Sequence, residues 1–175
     1  MKLFFSLLSI LFLFFSVSCS PEAEEDFGPG EVWKPTFSEL YSVNKIEELD
    51  LSDSEYVGIS RKISRFKNLK FLILRNNQLR SIPKESSELK NLIKLNLAKN
   101  NISEFPMSIL KMENLQELDL RYNKLTDIPN QVKDLKNLHT IYLAGNQIDA
   151  VRKSELRDLL PKTKLVFGVK KNNLQ

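Results

Sequence analysis

Histidine and cysteine, two residue types on which much enzyme chemistry depends, each occur once in this sequence. His139 is the only histidine among 175 residues, which excludes histidine clusters for metal binding or paired acid–base catalysis. The five glycines do not form a phosphate-binding loop. His139 lies early in a predicted strand, near a sheet edge, and we assign it no special role. The sequence therefore predicts a protein without catalytic residues, cofactor or metal.

The N-terminal segment has the pattern of a secretory signal peptide. A lysine at position 2 precedes an apolar run over residues 3–15, which is shorter than the about 20 residues that a membrane-spanning helix needs. Ser16 and Ser18 are small residues that suit cleavage after residue 18. We therefore predict that residues 1–18 are a signal peptide and that the protein is exported.

Cys19 is the only cysteine and would begin the cleaved chain. Its position resembles a bacterial lipobox, in which the cysteine is acylated and becomes the new N-terminus. Ser16 departs from that pattern, which commonly has leucine there, and ordinary cleavage without acylation is the alternative. We favour lipid attachment at Cys19, because a free exported thiol would be a liability. This predicts an outer-membrane or cell-surface lipoprotein, with a periplasmic or secreted protein as the alternative.

Charge is distributed unevenly along the chain. Residues 22–55 carry 11 acids against two lysines, whereas residues 56–175 carry 23 lysines and arginines against 11 acids. Residues 19–30 are acidic and contain proline and glycine, which predicts a flexible tether. The acids between Glu47 and Asp53 could weakly hold calcium, but a solvated surface is favoured because no spacing matches an EF-hand loop. Nucleic acid is an implausible partner for an exported chain.

The strongest pattern is a repeat with a fixed period of 23 residues. Four copies of L-x-x-[L/I]-x-L-x-x-N begin at Leu69, Leu92, Leu115 and Leu138. A degenerate copy begins at Ile46 and has Ser54 where the others have asparagine. A further apolar register contains Ile59, Ile82, Phe105, Ile128 and Val151. A fixed period of this length predicts a solenoid in which each turn buries its apolar face against its neighbours.

This motif resembles the leucine-rich repeat family over roughly residues 46–168. The resemblance implies an α/β right-handed solenoid of about five repeats, with a curved parallel β-sheet on its concave face. Leu95 and Leu97 point to the same side of an extended strand, and the residues beside them point away. Because a solenoid needs caps at both ends, we predict an N-terminal cap over residues 31–45, repeats over 46–151 and a C-terminal helix–strand cap over 152–175.

Both caps have candidate residues outside the repeat pattern. Apolar residues of the N-terminal cap are Trp33, Phe37, Leu40, Tyr41 and Val43. In the C-terminal cap, Ser154 is a candidate N-cap of a helix that Pro161 ends. Residues 164–167 then predict a last strand, with Leu165 and Phe167 facing the core.

An asparagine stands at the end of the strand segment in four repeats. An amide has donors and an acceptor, so a stacked row of amides can satisfy backbone groups where the chain stops making sheet bonds. We predict such a structural ladder for Asn77, Asn100, Asn123 and Asn146.

The strand residues that do not enter the core are free to bind a partner on the concave face. The predicted partner-binding residues are Phe71, Ile73, Arg75, Lys94, Asn96, Glu117, Asp119, Arg121, Tyr122, Thr140 and Tyr142. Aromatic residues and arginine are frequent interface anchors. The alternative is that β-forming residues simply favour strands, and that Glu117, Asp119 and Arg121 form a solvated charge ladder.

The chain resembles bacterial leucine-rich repeat lipoproteins such as those of spirochaetes. That resemblance implies a non-catalytic, protein-binding module, displayed on the envelope and in pathogens often directed at host molecules. The alternative is a structural or assembly protein within the bacterial envelope. The identity of the partner protein and the oligomeric state do not follow from the sequence.

Overall fold

The computed structural model describes residues 2–4 and 46–168. Short parallel strands form one sheet in which every strand neighbours the strand before and after it in sequence. The strands are β1 (Lys2–Phe4), β2 (Glu48–Asp50), β3 (Phe71–Ile73), β4 (Lys94–Asn96), β5 (Glu117–Asp119), β6 (Thr140–Tyr142) and β7 (Lys164–Val166). Strictly sequential parallel pairing confirms the predicted solenoid.

The sheet register follows the repeat period. Leu72 pairs with Leu95, Leu95 with Leu118, and Leu118 with Ile141. These residues are buried, as are the paired leucines two positions later, such as Leu74 and Leu97. Each turn therefore presents the same residue position to its neighbours, and the apolar core continues through the stack.

The return path of each of the first four turns contains a short 3₁₀ helix. These helices span Arg61–Arg65, Lys84–Glu88, Met107–Lys111 and Asn130–Asp134. Pro83, Pro106 and Pro129 occupy the extended N-cap position of the last three. Proline fits there because it lacks a backbone N–H and excludes regular strand.

The ladder asparagines join each turn to the turn before it. The Nδ2 of Asn100 donates to the carbonyl of Leu97 in its own turn at 3.0 Å and to that of Leu74 in the preceding turn at 2.9 Å. Its Oδ1 accepts from the backbone N–H of Leu79 at 3.0 Å. Asn77, Asn123 and Asn146 repeat this arrangement. One amide thus satisfies backbone groups on two turns.

A second row of asparagines lies before the strands, whereas the ladder asparagines follow them. The Nδ2 groups of Asn91, Asn114 and Asn137 donate to the carbonyls of Lys67, Lys90 and Glu113, each in the preceding turn. These asparagines stand immediately before a repeat motif. Their role was not evident from the sequence, because an exposed asparagine at a turn has many local explanations.

The C-terminal cap begins earlier than predicted. Helix α1 (Ala150–Leu159) follows Asp149, whose side chain accepts a hydrogen bond from the backbone N–H of Arg152 at 2.7 Å. Ser154 lies inside the helix, so the predicted N-cap at Ser154 is wrong. Asp149 is the better cap because its carboxylate can accept the unpaired N–H groups of the first turn. The cap therefore starts before the predicted boundary at residue 152.

The early helix changes which apolar residues enter the core at this end. Val151 was expected to continue the apolar register of Ile128, but it is 70% exposed on α1. Leu156 and Leu160 are buried instead. β7 pairs with β6, and Leu165 and Phe167 pack against the core as predicted.

Arg152 fastens α1 to the preceding turn. Its Nη2 donates to the carbonyl of Ile128 at 2.6 Å and to Oδ1 of Asn130 at 2.8 Å, and it forms ion pairs with Asp127 and Glu155. The hydrogen bond to Asp127, followed by that to Glu155, raises the pKa of Arg152 above its ordinary value. The guanidinium therefore stays charged and closes this end of the solenoid.

The other end of the sheet is formed by β1, which pairs in parallel with β2. β1 lies within the predicted signal peptide, so cleavage after residue 18 would leave β2 as the outer strand. Cys19, the predicted tether over residues 19–30 and the predicted N-terminal cap over residues 31–45 lie outside the described residues.

Replacing Asn123 by leucine is expected to lower the free energy of unfolding by about 1–3 kcal/mol, because buried backbone groups of two turns lose their partner. The midpoint of chemical denaturation measures this. Asn101→Leu is the matched control, since no hydrogen bond within residues 46–168 involves the Asn101 side chain. Equal midpoints for the two variants would contradict the ladder's role.

Candidate partner-binding site

The predicted partner-binding residues form rows across the concave face, which comprises the strand side chains of β2–β6 that point away from the core together with the residues that follow each strand. The register places Phe71, Lys94, Glu117 and Thr140 in one row. The next row contains Ile73, Asn96, Asp119 and Tyr142. Arg75 and Arg121 follow the ends of β3 and β5. The repeat therefore brings residues 23 positions apart into direct contact.

Two of the predicted partner-binding residues in the first row form an ion pair with each other. Lys94 Nζ lies 2.9 Å from Glu117 Oε1 on the neighbouring strand, and both side chains are about one-third exposed. An exposed pair of this kind contributes little to stability. It does neutralise the centre of the row, so neither residue offers an unpaired charge to a partner.

Polar residues of the second row cap the ends of their strands. Asp50, Asn96 and Asp119 each accept a hydrogen bond through Oδ1 from the backbone N–H two residues later, at 2.9, 3.0 and 3.1 Å. This is the local bond that Asp and Asn side chains make in Asx turns. Sequence reasoning missed this role, although the recurrence of Asp or Asn at one register was a usable signal.

Asp119 requires a correction. It was predicted to contact a partner, but its side chain is only 4% exposed. Its carboxylate is directed at Arg121: Oδ2 lies 2.6 Å from Nη2 and 3.1 Å from Nε, and Oδ1 lies 3.0 Å from Nε. Asp119 therefore positions Arg121 and is shielded from any partner by it.

We use the name Arg121 cluster for Arg121, Tyr122, Tyr142 and the buried Asp119. The guanidinium carbon of Arg121 lies 5.0 Å from the centre of the Tyr142 ring, within the range of a cation–π contact. The hydrogen bond to Asp119 raises the pKa of Arg121 above its ordinary value. The cluster therefore presents a charged, oriented guanidinium against the Tyr142 ring, with the exposed Tyr122 next in the chain.

Tyr122 owes its position to a repeated backbone conformation. The residue before the ladder position has a left-handed φ in five turns, namely Asp53 at 54°, Asn76 at 55°, Lys99 at 56°, Tyr122 at 55° and Gly145 at 76°. Asp, Asn and Gly adopt this region readily, whereas lysine and tyrosine do so at a cost. Tyr122 is 45% exposed despite its size.

The tyrosine ring covers the glycine of the next turn. A Cβ atom built on Gly145 would lie 2.5 Å from Cδ1 of Tyr122, so only glycine leaves room for the ring. Ala144 beside it is buried. The position of the Tyr122 ring thus depends on Gly145, a role that was not predicted from the sequence.

Phe71 and Ile73 form a separate apolar spot on β3. Both are half-buried, and their neighbours in the register are Glu48 and Asp50 on one side and Lys94 and Asn96 on the other. Strand β4 separates this spot from the Arg121 cluster. The structure therefore divides the predicted site into two parts, of which only the Arg121 cluster combines aromatic rings with an oriented charge.

The described residues show few other candidate sites. In residues 46–168, no group of three or more His, Cys, Asp or Glu side chains is arranged to hold a metal ion. His139 is exposed. No helix of the described ranges has the length and apolar character needed to cross a membrane.

Comparison with known proteins agrees with this geometry. A leucine-rich repeat family model matches residues 90–148, and a model of two leucine-rich repeats matches residues 67–109. The chain folds as a leucine-rich repeat solenoid. Such folds are typically non-enzymatic and commonly mediate protein–protein interaction. None of the curated proteins is significantly similar to this chain in sequence.

Two solved structures illustrate the likeness. A Listeria monocytogenes internalin has a TM-score of 0.55 and 19% identity, and the match covers 66% of this chain and 40% of the internalin. A leucine-rich repeat protein of Leptospira interrogans has a TM-score of 0.40 and 24% identity, and the match covers 69% of this chain and 54% of the Leptospira chain. At these identities the internalin match supports the fold alone, and this chain spans about half or less of each structure.

Gly145→Ala is expected to lower the free energy of unfolding by about 1–2 kcal/mol, because alanine is strained at a left-handed φ. It should also displace the Tyr122 ring, which chemical shifts of the tyrosine ring protons would report. Gly168→Ala is the control, since a Cβ atom there meets no atom within 4 Å. An unmoved Tyr122 ring in Gly145→Ala would contradict the packing described.

Proposed function

We propose that this protein is a non-catalytic binding module that docks a partner protein on the Arg121 cluster of its concave face. The observation that carries the proposal is the exposed pair Arg121 and Tyr122, with Arg121 held in place by the buried Asp119. Aromatic and arginine residues dominate the binding energy of many interfaces. A rigid arginine also loses little side-chain entropy on binding.

Within residues 46–168, no other group on the same face combines exposed aromatic rings with an oriented charge. Lys94 and Glu117 neutralise each other, and Asn96 is used to cap its strand. Phe71 and Ile73 remain as a second apolar contact on β3, close enough in the stack to extend the interface toward the N-terminal end. A partner that spans both parts would cover β3 to β6.

We also propose that the module is a bacterial lipoprotein anchored through Cys19. Support comes from the signal-peptide pattern of residues 1–18 and from the single cysteine directly after it. The acidic residues 19–30 would then hold the solenoid away from the membrane. On the outer face of the cell the partner would be a host protein, and in the periplasm it would be a protein of the bacterium's own envelope.

Replacing Tyr122 and Tyr142 together by alanine is expected to weaken binding of captured partners by about tenfold or more, as loss of interface anchors does. Affinity capture followed by measurement of Kd tests this. The control is Met107→Ala with Val151→Ala, which removes exposed apolar side chains elsewhere on the solenoid. Retention of every partner at wild-type affinity by the tyrosine variant would refute the site.

Metabolic labelling with a fatty acid tests the anchor. The wild-type chain is expected to incorporate the label and Cys19→Ala to lose it, because no other cysteine is present in the sequence. Labelling that persists in Cys19→Ala would exclude acylation at this residue. Protease accessibility on intact cells then separates surface display from a periplasmic location.

A further inference from the structure

Arg121 has one occupied edge and one free edge. Nε and Nη2 both bind the carboxylate of Asp119, which lies along one side of the guanidinium. Nη1 has no hydrogen-bond acceptor within residues 46–168, and Nη1 with Nη2 forms the second fork of the group. A planar guanidinium can bind a carboxylate with two parallel bonds at such a fork.

The free fork is held in a fixed orientation. Asp119 is buried and also accepts from the backbone N–H of Arg121, so the carboxylate itself cannot swing away. Tyr142 supports one face of the guanidinium at 5.0 Å. An acceptor arriving at the free fork therefore meets donors that are already oriented, and this lowers the entropy lost on binding.

The neighbouring turns leave this fork accessible. At the register position of Arg121, the turns before and after have Ala98 and Ala144, which are 3% and 1% exposed. An alanine side chain ends at its Cβ atom and cannot cover the guanidinium, and 40% of the Arg121 side chain is exposed. A ligand can therefore reach the arginine from solvent.

Nearby unpaired cations supply the attraction for an anion. Asp119 offsets the charge of Arg121, so the pair alone has little net charge. Lys99 donates its backbone N–H to the carbonyl of Arg121 at 2.7 Å, which places it in the adjacent turn, and Arg75 lies one turn further on. Both are exposed, and no carboxylate of residues 46–168 lies within ion-pair distance of either. Neighbouring strands lie about 4.8 Å apart, so the turn of Lys99 lies within the screening length of about 8 Å at physiological ionic strength. Arg75 is two strand spacings away and contributes less.

We propose that the free fork of Arg121 is a carboxylate-binding site for an aspartate or glutamate side chain in an extended acidic segment of the partner. Lys99 and Arg75 contribute net positive charge, and the rings of Tyr122 and Tyr142 contact the apolar part of the segment. This inference rests on the proposed binding function and specifies the chemistry of the partner.

A fluorescently labelled oligoglutamate peptide, acetylated and amidated at its ends, tests the site by fluorescence anisotropy with the full chain. Saturable binding is expected. Arg121→Lys keeps the charge but removes the fork, and should weaken binding about tenfold. Lys99→Gln with Arg75→Gln should weaken binding and reduce its dependence on salt. An unchanged denaturation midpoint for Arg121→Lys shows that the loss is local.

The matched control removes the same charge from the return path. Lys111 and Lys133 are exposed on the 3₁₀ helices, and Lys111→Gln with Lys133→Gln should leave peptide affinity unchanged. The proposal is overturned if no saturable binding occurs, or if this control weakens binding as much as Lys99→Gln with Arg75→Gln.

The acidic residues of this chain's own N-terminal segment are the competing occupant. Changing Glu22, Glu24, Glu25 and Asp26 to glutamine should not alter peptide affinity. A rise in peptide affinity of about tenfold, equivalent to about 1.4 kcal/mol, would show that this segment already fills the site. That result would overturn the proposal that the site binds an external acidic segment.

The binding function and the carboxylate site can fail separately. In one case, the Tyr122→Ala with Tyr142→Ala variant loses the captured partners, while Arg121→Lys does not weaken their binding and excess oligoglutamate does not displace them. The binding function then stands and the carboxylate site is wrong. If oligoglutamate binds at Arg121 while the tyrosine variant keeps every partner, the carboxylate site stands and the docking surface for those partners lies elsewhere.

Discussion

The hydrogen bonds of the ladder asparagines are the interaction on which the rest of this solenoid depends. Each strand is three residues long, and no single turn contains enough apolar surface for a core of its own. Leucine rows supply that core, but they leave backbone groups unpaired where each turn leaves the sheet. The amides of Asn77, Asn100 and Asn123 lie at those corners, are more than 90% buried and bond to two turns at once. Without them the corners would hold unsatisfied polar groups next to the core.

The same constraint shapes the concave face. Because leucine and asparagine positions are committed to joining turns, variation is confined to the strand residues that point away from the core and to those directly following. Several of these concave-face residues also have a structural role. Asp50, Asn96 and Asp119 cap strand ends, and in the turn of Asp119 the cap also orients an arginine. The candidate site therefore arises where one side chain serves both the strand end and the surface.

The residues of a cap are stabilised by different contacts from those of the repeats. Within the stack, a residue's environment is provided by copies of the same motif, so one rule describes every turn. At the C-terminal end there is no following turn, and the core is closed by α1 and the ion pairs of Arg152. Val151 continues the apolar pattern in the sequence, yet it is exposed because the chain has already become helical at Ala150. The helix start depends on Asp149 as cap, which local propensity alone did not distinguish from Ser154.

The sequence by itself determined the solenoid, its register and the residues of its concave face, because a period of 23 residues aligns the same chemistry in every turn. Only the tertiary structure decided which of those concave residues are available to a partner. Burial of Asp119, the pairing of Lys94 with Glu117 and the packing of Tyr122 over Gly145 each depend on side chains in neighbouring positions or turns. Periodicity specifies where a side chain starts, whereas its exposure is set by the particular neighbours that the stack places beside it.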